Sequence, residues 1–288
     1  MSEINPQLLS GVAETMLITL YLRAMESQRP EALIKDEEAV ELVTRLSYDF
    51  DRIRLLHLNE ANKLVIILRN REFDRYARDF LRRHPDAVVV HIGCGLDSRF
   101  GRVDNGKVEW YDLDFPDIIK LRRKLLGDKG LTLSGPEHSS GVEGKRYHLI
   151  GCSVLEDTWL EKVSNHRKRP FLFMAEGVFM YFEGAQVKSL VLRLRDYFPG
   201  AELVFDSYSP IHVRVSNLQT ASFGFRSRWG IWHGEKLEGW DGIRLLDEWG
   251  PFERPEPRLA RFRWWLRPID WLFRTLRIYH FQLGKAAG

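Results

Sequence analysis

The sequence predicts an α/β protein built on a doubly wound, mostly parallel sheet of seven strands, preceded by a helical cap. Three observations predict this fold class. Short apolar runs alternate with helical stretches between residues 88 and 205, which is typical of a parallel sheet with helices on both faces. The apolar run at 88–92 is broken into a turn by Gly93 and Gly95. About 20 residues later, a second run ends in Asp112 and Asp114, a layout typical of a nucleoside-cofactor site.

Residues 1–85 are predicted to be mainly helical. Apolar residues recur at helical spacing in 11–26, a second helix at 36–45 begins at a capping Asp36, and a long third helix covers 60–83. A minimal doubly wound domain does not need these residues, so we interpret them as a helical cap over the cofactor.

The cofactor-binding core is predicted at residues 86–208. Its strands are expected at 88–92, 108–113, 146–150, 171–174 and 202–205, with helices at 116–126, 156–162 and 183–197. Glycine, serine and proline without periodicity predict a loop at 130–144.

The C-terminal third of the chain departs from this alternation. Residues 209–240 show neither helical nor strand period, and we interpret them as a segment inserted on the substrate side, with irregular or short helical structure. Residues 241–288 are expected to supply the last two strands and an aromatic helix. The aromatic and basic stretch at 262–273 is short and interrupted by Pro268, so we expect a buried or lid-packing aromatic cluster there rather than a membrane-surface helix.

Composition excludes several classes of protein. The chain has 288 residues and a formal net charge of +3, and scattered arginines leave no electrostatic footprint for nucleic acid. No apolar run approaches the ~20 residues that span a bilayer. Cys94 and Cys152 lack metal-ligand spacing, so we expect no metal site and a reduced, cytoplasmic protein. The oligomeric state cannot be predicted.

Two details of the glycine turn bear on which cofactor binds. The third glycine of a phosphate-binding turn is replaced by Ser98. Asp97 stands where the next helix should begin, and a carboxylate there would repel a pyrophosphate. A cofactor with a ribose but no phosphate fits better, and S-adenosylmethionine is the common one. Alternatively, Asp97 only caps the helix, which is compatible with either cofactor.

The segment 93–99, GCGLDSR, closely resembles the GxGLDTR signature of the leucine carboxyl methyltransferase superfamily. More specifically, the chain resembles the branch containing the tetracenomycin-type polyketide O-methyltransferases. Further stretches resemble other motifs of that branch: 14–17, 20–24, 35–36, 48–50, 71–74, 176–181 and 278–281. The resemblance implies a class I, Rossmann-like methyltransferase that uses S-adenosylmethionine, with a final strand antiparallel to its neighbours.

The resemblance also implies roles for individual residues. Asp114 matches the acid that holds the ribose, with Asp112 as the nearest alternative. Arg71 matches the arginine that pairs with the carboxylate of the cofactor, and Arg23 is a weaker candidate for the same pocket. The alternative for Arg71 is a solvated position on a long helix.

Three further positions are expected to contact the cofactor. Ser153 stands where the superfamily often has an aspartate that holds the adenine amino group, and this departure moves the expected contact towards the backbone of Val154. Glu176 follows the fourth strand, so it should face the cofactor cleft.

Methyl transfer from a sulfonium requires mainly positioning of the acceptor. A carboxylate acceptor arrives ionised and needs no general base, whereas a phenol or alcohol would benefit from one. No catalytic residue is identified, and the candidates are Tyr181, His212 and His233.

The sequence therefore predicts an S-adenosylmethionine-dependent O-methyltransferase acting on a carboxylate or hydroxyl oxygen of a small, polyketide-like acceptor. Two alternatives remain open, a nicotinamide-dependent oxidoreductase on the same sheet and a non-catalytic cofactor-binding protein. No nucleic-acid partner and no stable membrane association are expected.

Overall fold

A computed structural model describes residues 11–51, 59–126, 146–219 and 226–285. These residues form a seven-stranded sheet in the order β3-β2-β1-β4-β5-β7-β6. The strands are β1 (Val88–Ile92), β2 (Glu109–Asp114), β3 (Tyr147–Gly151), β4 (Phe171–Ala175), β5 (Ala201–Ser207), β6 (Ile243–Trp249) and β7 (Arg277–Leu283).

The first five strands are mutually parallel, and β7 runs antiparallel to both β5 and β6. The doubly wound sheet and the antiparallel final strand are therefore confirmed. Strand order reverses between β1 and β4, and in such sheets ligands bind in the crevice at the carboxyl ends of the strands flanking this reversal. Every residue of β1, β4 and β5 is buried, which explains why β1 and β4 are almost continuously apolar.

Within the described ranges, three helices precede the first strand in the chain, and the others lie between the strands. They are α1 (Gly11–Ser27), α2 (Glu37–Arg45), α3 (Glu60–Arg83), α4 (Arg99–Val103), α5 (Pro116–Leu126), α6 (Thr158–Val163), α7 (Gly184–Tyr197), α8 (Pro210–Gln219), α9 (Glu235–Glu238) and α10 (Ala260–Phe273). Among the described residues, no helix is long and apolar enough to cross a membrane.

The predicted N-terminal helices are confirmed, and the starts of α2 and α3 follow from side-chain caps. The carboxylate of Asp36 accepts a hydrogen bond from the amide of Ala39 at 2.9 Å, which fixes the start of α2. Asn59 caps α3 in the same way through the amide of Asn62 at 2.8 Å. Buried leucines of α1 and α2 pack together with Leu96 of the glycine turn, so these helices lie against the predicted cofactor site.

The predicted loop at 130–144 lies outside the described residues. Within the segment 209–240, the ten-residue helix α8 is longer than the irregular or short helical structure that we expected. It starts with Pro210, whose fixed φ suits the first turn of a helix.

Of the two alternatives for the aromatic cluster at 262–273, burial and lid-packing, burial is wrong for its tryptophans. This stretch belongs to α10, a continuous helix that includes Pro268. The side chains of Trp264 and Trp271 are each 79% exposed. Phe262 and Leu266 pack against the core and Asp270 is buried, so the face of α10 that carries Trp264 and Trp271 is turned away from the core.

Candidate active site

The turn after β1 has the backbone conformation that its glycines allow. Gly93 and Gly95 have φ values of +66° and +50°, a region that residues with a Cβ rarely adopt. The amide of Gly93 donates to the carbonyl of Leu113 at 2.7 Å, which ties the turn to the end of β2. A Cβ at Gly93 would also collide with Val178, and one at Gly95 with Met16, so packing as well as φ requires glycine at both positions.

Asp114 lies beside this turn at the carboxyl end of β2. Its two carboxylate oxygens accept hydrogen bonds from the backbone amides of Gly95, at 2.8 Å, and Phe115, at 2.7 Å. Burial raises the pKa of Asp114, although these amides oppose the rise. The side chain is only half-buried, and each oxygen keeps a free lone pair. Asp114 can therefore still accept hydrogen bonds from a ligand.

Asp112 lies deeper and is already saturated by protein donors. Its carboxylate accepts from Arg122 and from the hydroxyl of Tyr147, both at 2.6 Å, and from the indole of Trp110 at 2.7 Å. The residue is 1% exposed. Of the two aspartates at the end of β2, the geometry therefore favours Asp114 as the ligand-facing one.

Asp97 neither caps the following helix nor presents a free charge. Ser98 is the N-cap residue of α4. The carboxylate of Asp97 lies 3.0 Å from both Arg99 and Arg102, and 3.8 Å from Arg23. Burial alone would raise the pKa of Asp97, but these arginines hold it well below its usual range. Since the charge is balanced locally, the proposed repulsion of a pyrophosphate does not follow from this carboxylate.

The same arginines connect the glycine turn to the N-terminal helices. Arg102 pairs with Asp36 at 2.8 Å and with Asp74 at 2.7 Å. Arg23 pairs with Asp36 at 2.9 Å and also donates to the carbonyl of Leu96 at 2.8 Å. Arg23 is therefore a bridge between α1, α2 and the turn, and its guanidinium is already engaged there.

A second buried cluster lies at the ends of β4 and β5. Glu176 accepts hydrogen bonds from Arg69 and Asn70 at 2.9 Å each and from Arg99 at 2.5 Å. Arg69 also pairs with Asp206 at 3.0 Å. Burial raises the pKa of Asp206 despite this arginine. Two carboxylates and two arginines thus meet at the carboxyl ends of the strands, where ligands bind in such sheets.

Arg71 lies away from this cluster. Its guanidinium pairs with Glu256 at 3.0 Å, and its side chain is 38% exposed. Residues two apart on a helix point in different directions, so α3 carries Arg69 rather than Arg71 to the strand ends. Sequence reasoning missed Arg69 and Asp206. The signal for Asp206 was available, because it stands at the end of β5 as Glu176 follows β4.

Ser153 and Val154 follow β3 at the other side of the turn. The hydroxyl of Ser153 accepts a hydrogen bond from the amide of Leu155 at 3.2 Å. The carbonyl of Val154 accepts one from the indole N–H of Trp159 at 3.0 Å. The amide of Cys152 donates to the carbonyl of Asp114 at 3.0 Å. This hydrogen bond holds the segment that contains Ser153 and Val154 next to Asp114.

The three catalytic candidates occupy different environments. Burial raises the pKa of Tyr181, whose hydroxyl is hydrogen-bonded to Thr15 of α1. His212 of α8 stacks on Tyr208, which follows β5, with 4.8 Å between ring centroids, and burial lowers its pKa. His233 is exposed in the segment before α9. Tyr181 and His212 lie in elements near the strand ends, whereas His233 is a surface residue.

The sheet order, the antiparallel seventh strand and the glycine turn with its neighbouring acid define a class I methyltransferase fold. A putative methyltransferase from Thermobifida fusca has this fold, with a TM-score of 0.56 at 16% identity over 85% of this chain and 92% of that one. The chain belongs to the leucine carboxyl methyltransferase family, whose model matches residues 16–194.

Two relatives are similar to this chain over more residues than the family model matches. The tetracenomycin polyketide synthesis O-methyltransferase TcmP of Streptomyces glaucescens is 36% identical over 255 residues, which are 86% of each chain. The S-adenosyl-L-methionine-dependent methyltransferase dpfgK of Gibberella zeae is 30% identical over 247 residues, covering 80% of this chain and 78% of its own. The protein is therefore an S-adenosylmethionine-dependent methyltransferase. The family selects this activity over the oxidoreductase and the non-catalytic protein that the sequence left open.

Proposed function

We propose that the protein methylates a carboxylate or hydroxyl oxygen of a small, polyketide-like acceptor, with the cofactor held by Asp114 and the glycine turn. The observation that carries the site assignment is the half-buried carboxylate of Asp114 beside the amide of Gly95. The name of TcmP as a polyketide O-methyltransferase supports the class of acceptor.

The residues around the turn fit the nucleoside part of S-adenosylmethionine. Asp114 offers carboxylate lone pairs to the two ribose hydroxyls, and the hydrogen bond from the amide of Gly95 holds this carboxylate beside the carboxyl end of β1. Ser153 and the backbone near Val154 lie beside Asp114 in the fold and would meet the adenine. When bound, the cofactor supplies an electrophilic methyl group on a positively charged sulfur.

The cluster at the ends of β4 and β5 fits the amino acid part of the cofactor. Glu176 pairs with Arg69 and Arg99, and Asp206 pairs with Arg69, so the cluster offers carboxylates to the ammonium group and guanidinium groups to the carboxylate of this part of the cofactor. We assign Glu176 and Arg69 to this end of the pocket, and Asp97 to holding Arg99 next to Glu176. Arg71 remains the competing hypothesis from the family resemblance.

On the acceptor side, His212 is the best-placed general base for a phenol. Burial keeps the pKa of His212 below its ordinary value, so the imidazole is neutral near pH 7 and can accept a proton. Burial keeps Tyr181 protonated, which makes it a hydrogen-bond donor rather than a base. A carboxylate acceptor would need neither residue.

A methyl-transfer assay tests the proposal. The full chain is incubated with S-adenosylmethionine labelled in its methyl group and a panel of aromatic carboxylic acids and phenols. Alkaline hydrolysis releases the label from a methyl ester but not from an aryl methyl ether, which distinguishes the two acceptor oxygens. His212→Asn should slow methylation of phenols and leave that of carboxylates unchanged, with His233→Asn as the matched control. Labelled products on nitrogen or carbon only would contradict the proposal.

The proposal includes a cytoplasmic location, because Cys94 and Cys152 are both free thiols and a reducing compartment preserves them. Fluorescence of a tagged protein after cell fractionation checks this, and secretion into the medium would contradict it.

A further inference from the structure

We propose that α10 docks reversibly on the surface of an anionic membrane through an exposed aromatic face. This face consists of the side chains of α10 that are at least 40% exposed and apolar. They are Trp264 (79%), Trp265 (40%), Ile269 (42%), Trp271 (79%) and Leu272 (59%). Large tryptophans rarely lie this open on a protein surface, and contiguous exposed apolar side chains mark interaction sites.

The aromatic face is a single stripe and not a frayed end. Trp264, Trp271 and Leu272 are spaced at i, i+7 and i+8, which places them on one side of a helix. The opposite side is anchored by Asp270, which is 3% exposed and pairs with Arg277 at 2.9 Å. Phe262 and Leu266 pack against the buried core beneath α10. The helix therefore holds its tryptophans outward in a fixed orientation.

Charge decides which partner fits this face. Arg261 and Arg267 are exposed on α10 and border the tryptophans, whereas its one acidic residue, Asp270, is buried. Tryptophan and leucine with flanking arginines are the composition of helices that lie in a membrane interface, and anionic lipids attract the arginines. In a symmetric contact between two copies of α10, these arginines would face each other with no exposed acid on the helix to pair them.

The sequence argument against this role does not apply to the folded helix. Pro268 does not break α10, and its 14 residues need only lie on a bilayer, not span it.

The position of α10 in the fold determines which part of the protein would lie near the lipid. The helix joins the end of β6 to the start of β7, where Arg277 pairs in register with Ser207 at the end of β5. Docking would therefore bring the edge of the sheet that carries the active site close to the lipid.

Flotation of the full chain with vesicles tests the proposal. Vesicles of phosphatidylcholine alone are compared with vesicles that contain phosphatidylglycerol as well. We expect the protein to float with the anionic vesicles and to be released by high salt. Trp264→Ser with Trp271→Ser should lower the partition coefficient by about tenfold or more, and Arg261→Ser with Arg267→Ser by about fivefold for each arginine.

Matched controls separate this face from general surface effects. Val215→Ser with Leu246→Ser removes exposed apolar side chains elsewhere, and Lys188→Ser with Lys236→Ser removes exposed cations elsewhere; these variants should float like the wild type. Binding of S-adenosylhomocysteine should stay normal in every variant. Absence of flotation, or equal flotation of the α10 variants and controls, would overturn the proposal. A dimer abolished by the tryptophan variant, without vesicle binding, would instead assign the face to a second copy.

Discussion

The carboxylate of Asp114 accepts the amide of Gly95 at 2.8 Å, across the crevice between the ends of β1 and β2. The bond joins the acid proposed to hold the ribose to the glycine turn after β1. Asp112, two residues earlier, is also a carboxylate, but it accepts hydrogen bonds from the buried side chains of Arg122, Tyr147 and Trp110.

The two aspartates should therefore respond differently to the same substitution. Asp114→Asn is expected to weaken binding of S-adenosylhomocysteine by about tenfold or more, since a hydrogen bond to a charged group is worth about 1.5–3 kcal/mol. Asp112→Asn leaves Arg122 buried without its carboxylate and should cost about 3–5 kcal/mol of unfolding free energy. Calorimetric titration and urea unfolding measure the two effects, with the exposed Asp196→Asn as a control. The reverse pattern would exchange the two roles.

Arg69 and Arg71 make competing predictions about the amino acid end of the cofactor. Arg71→Ala breaks a half-exposed pair with Glu256, so we expect the unfolding free energy to fall by only about 0–1 kcal/mol and cofactor affinity to change by about twofold or less. Arg69→Lys keeps a charge but cannot reach Glu176 and Asp206 together, and it should weaken cofactor binding clearly. A large loss of affinity in Arg71→Ala alone would restore the hypothesis drawn from the family resemblance.

Gly93→Ala should lower the unfolding free energy by more than the cost of placing an alanine in the left-handed conformation. A Cβ at Gly93 would lie 2.4 Å from Cγ2 of Val178, a stiff β-branched neighbour. Gly106 also has a positive φ, of 77°, but a Cβ there meets no atom within 4 Å. Both alanine variants share the cost of the left-handed conformation, about 1–2 kcal/mol. Gly93→Ala should lose about 1–3 kcal/mol more, and adding Val178→Ala should recover part of it. Equal losses in thermal unfolding would refute the contact.

Glu202 should make stability depend on acidic pH. Burial tends to raise the pKa of Glu202, but hydrogen bonds from Arg83 and His280 outweigh it and lower the pKa from 4.5 to about 2. A lowered pKa in the folded state contributes stability above the unfolded value, and this contribution is lost as pH falls from 4.5 towards 2. Because Arg83 is half-exposed, solvent screening limits the contribution to about 1–2 kcal/mol.

The measurement for this prediction compares the wild type with Glu202→Gln in urea unfolding from pH 7 down to pH 2.5. The stability difference should be largest near neutral pH and should shrink across the acidic range. A difference that is constant with pH would mean that the carboxylate charge does not contribute. Asp196→Gln, an exposed position, serves as the control for a lost surface carboxylate.

The positions of the strands and of the glycine turn along the chain followed from the sequence because local rules govern them. A buried parallel strand must be apolar, as at 88–92, and a turn with positive φ favours glycine, as at Gly93 and Gly95. Helices α2 and α3 begin at caps that are readable as single residues, Asp36 and Asn59. The exposed face of α10 was not readable, because periodicity shows that a helix has an apolar stripe but not whether another element covers it.

By itself, then, the sequence determined the α/β sheet, its family and the neighbourhood of the cofactor, since hydrophobic periodicity, glycine conformation and an ordered set of motifs are properties of the chain. Only the tertiary structure decided which charges meet. Arg69 rather than Arg71 reaches Glu176, Asp97 is neutralised by arginines from α1 and α4, and Asp114 rather than Asp112 keeps free lone pairs. These choices depend on contacts between residues far apart in the chain, where packing and burial set both the partners and the energy of each charge.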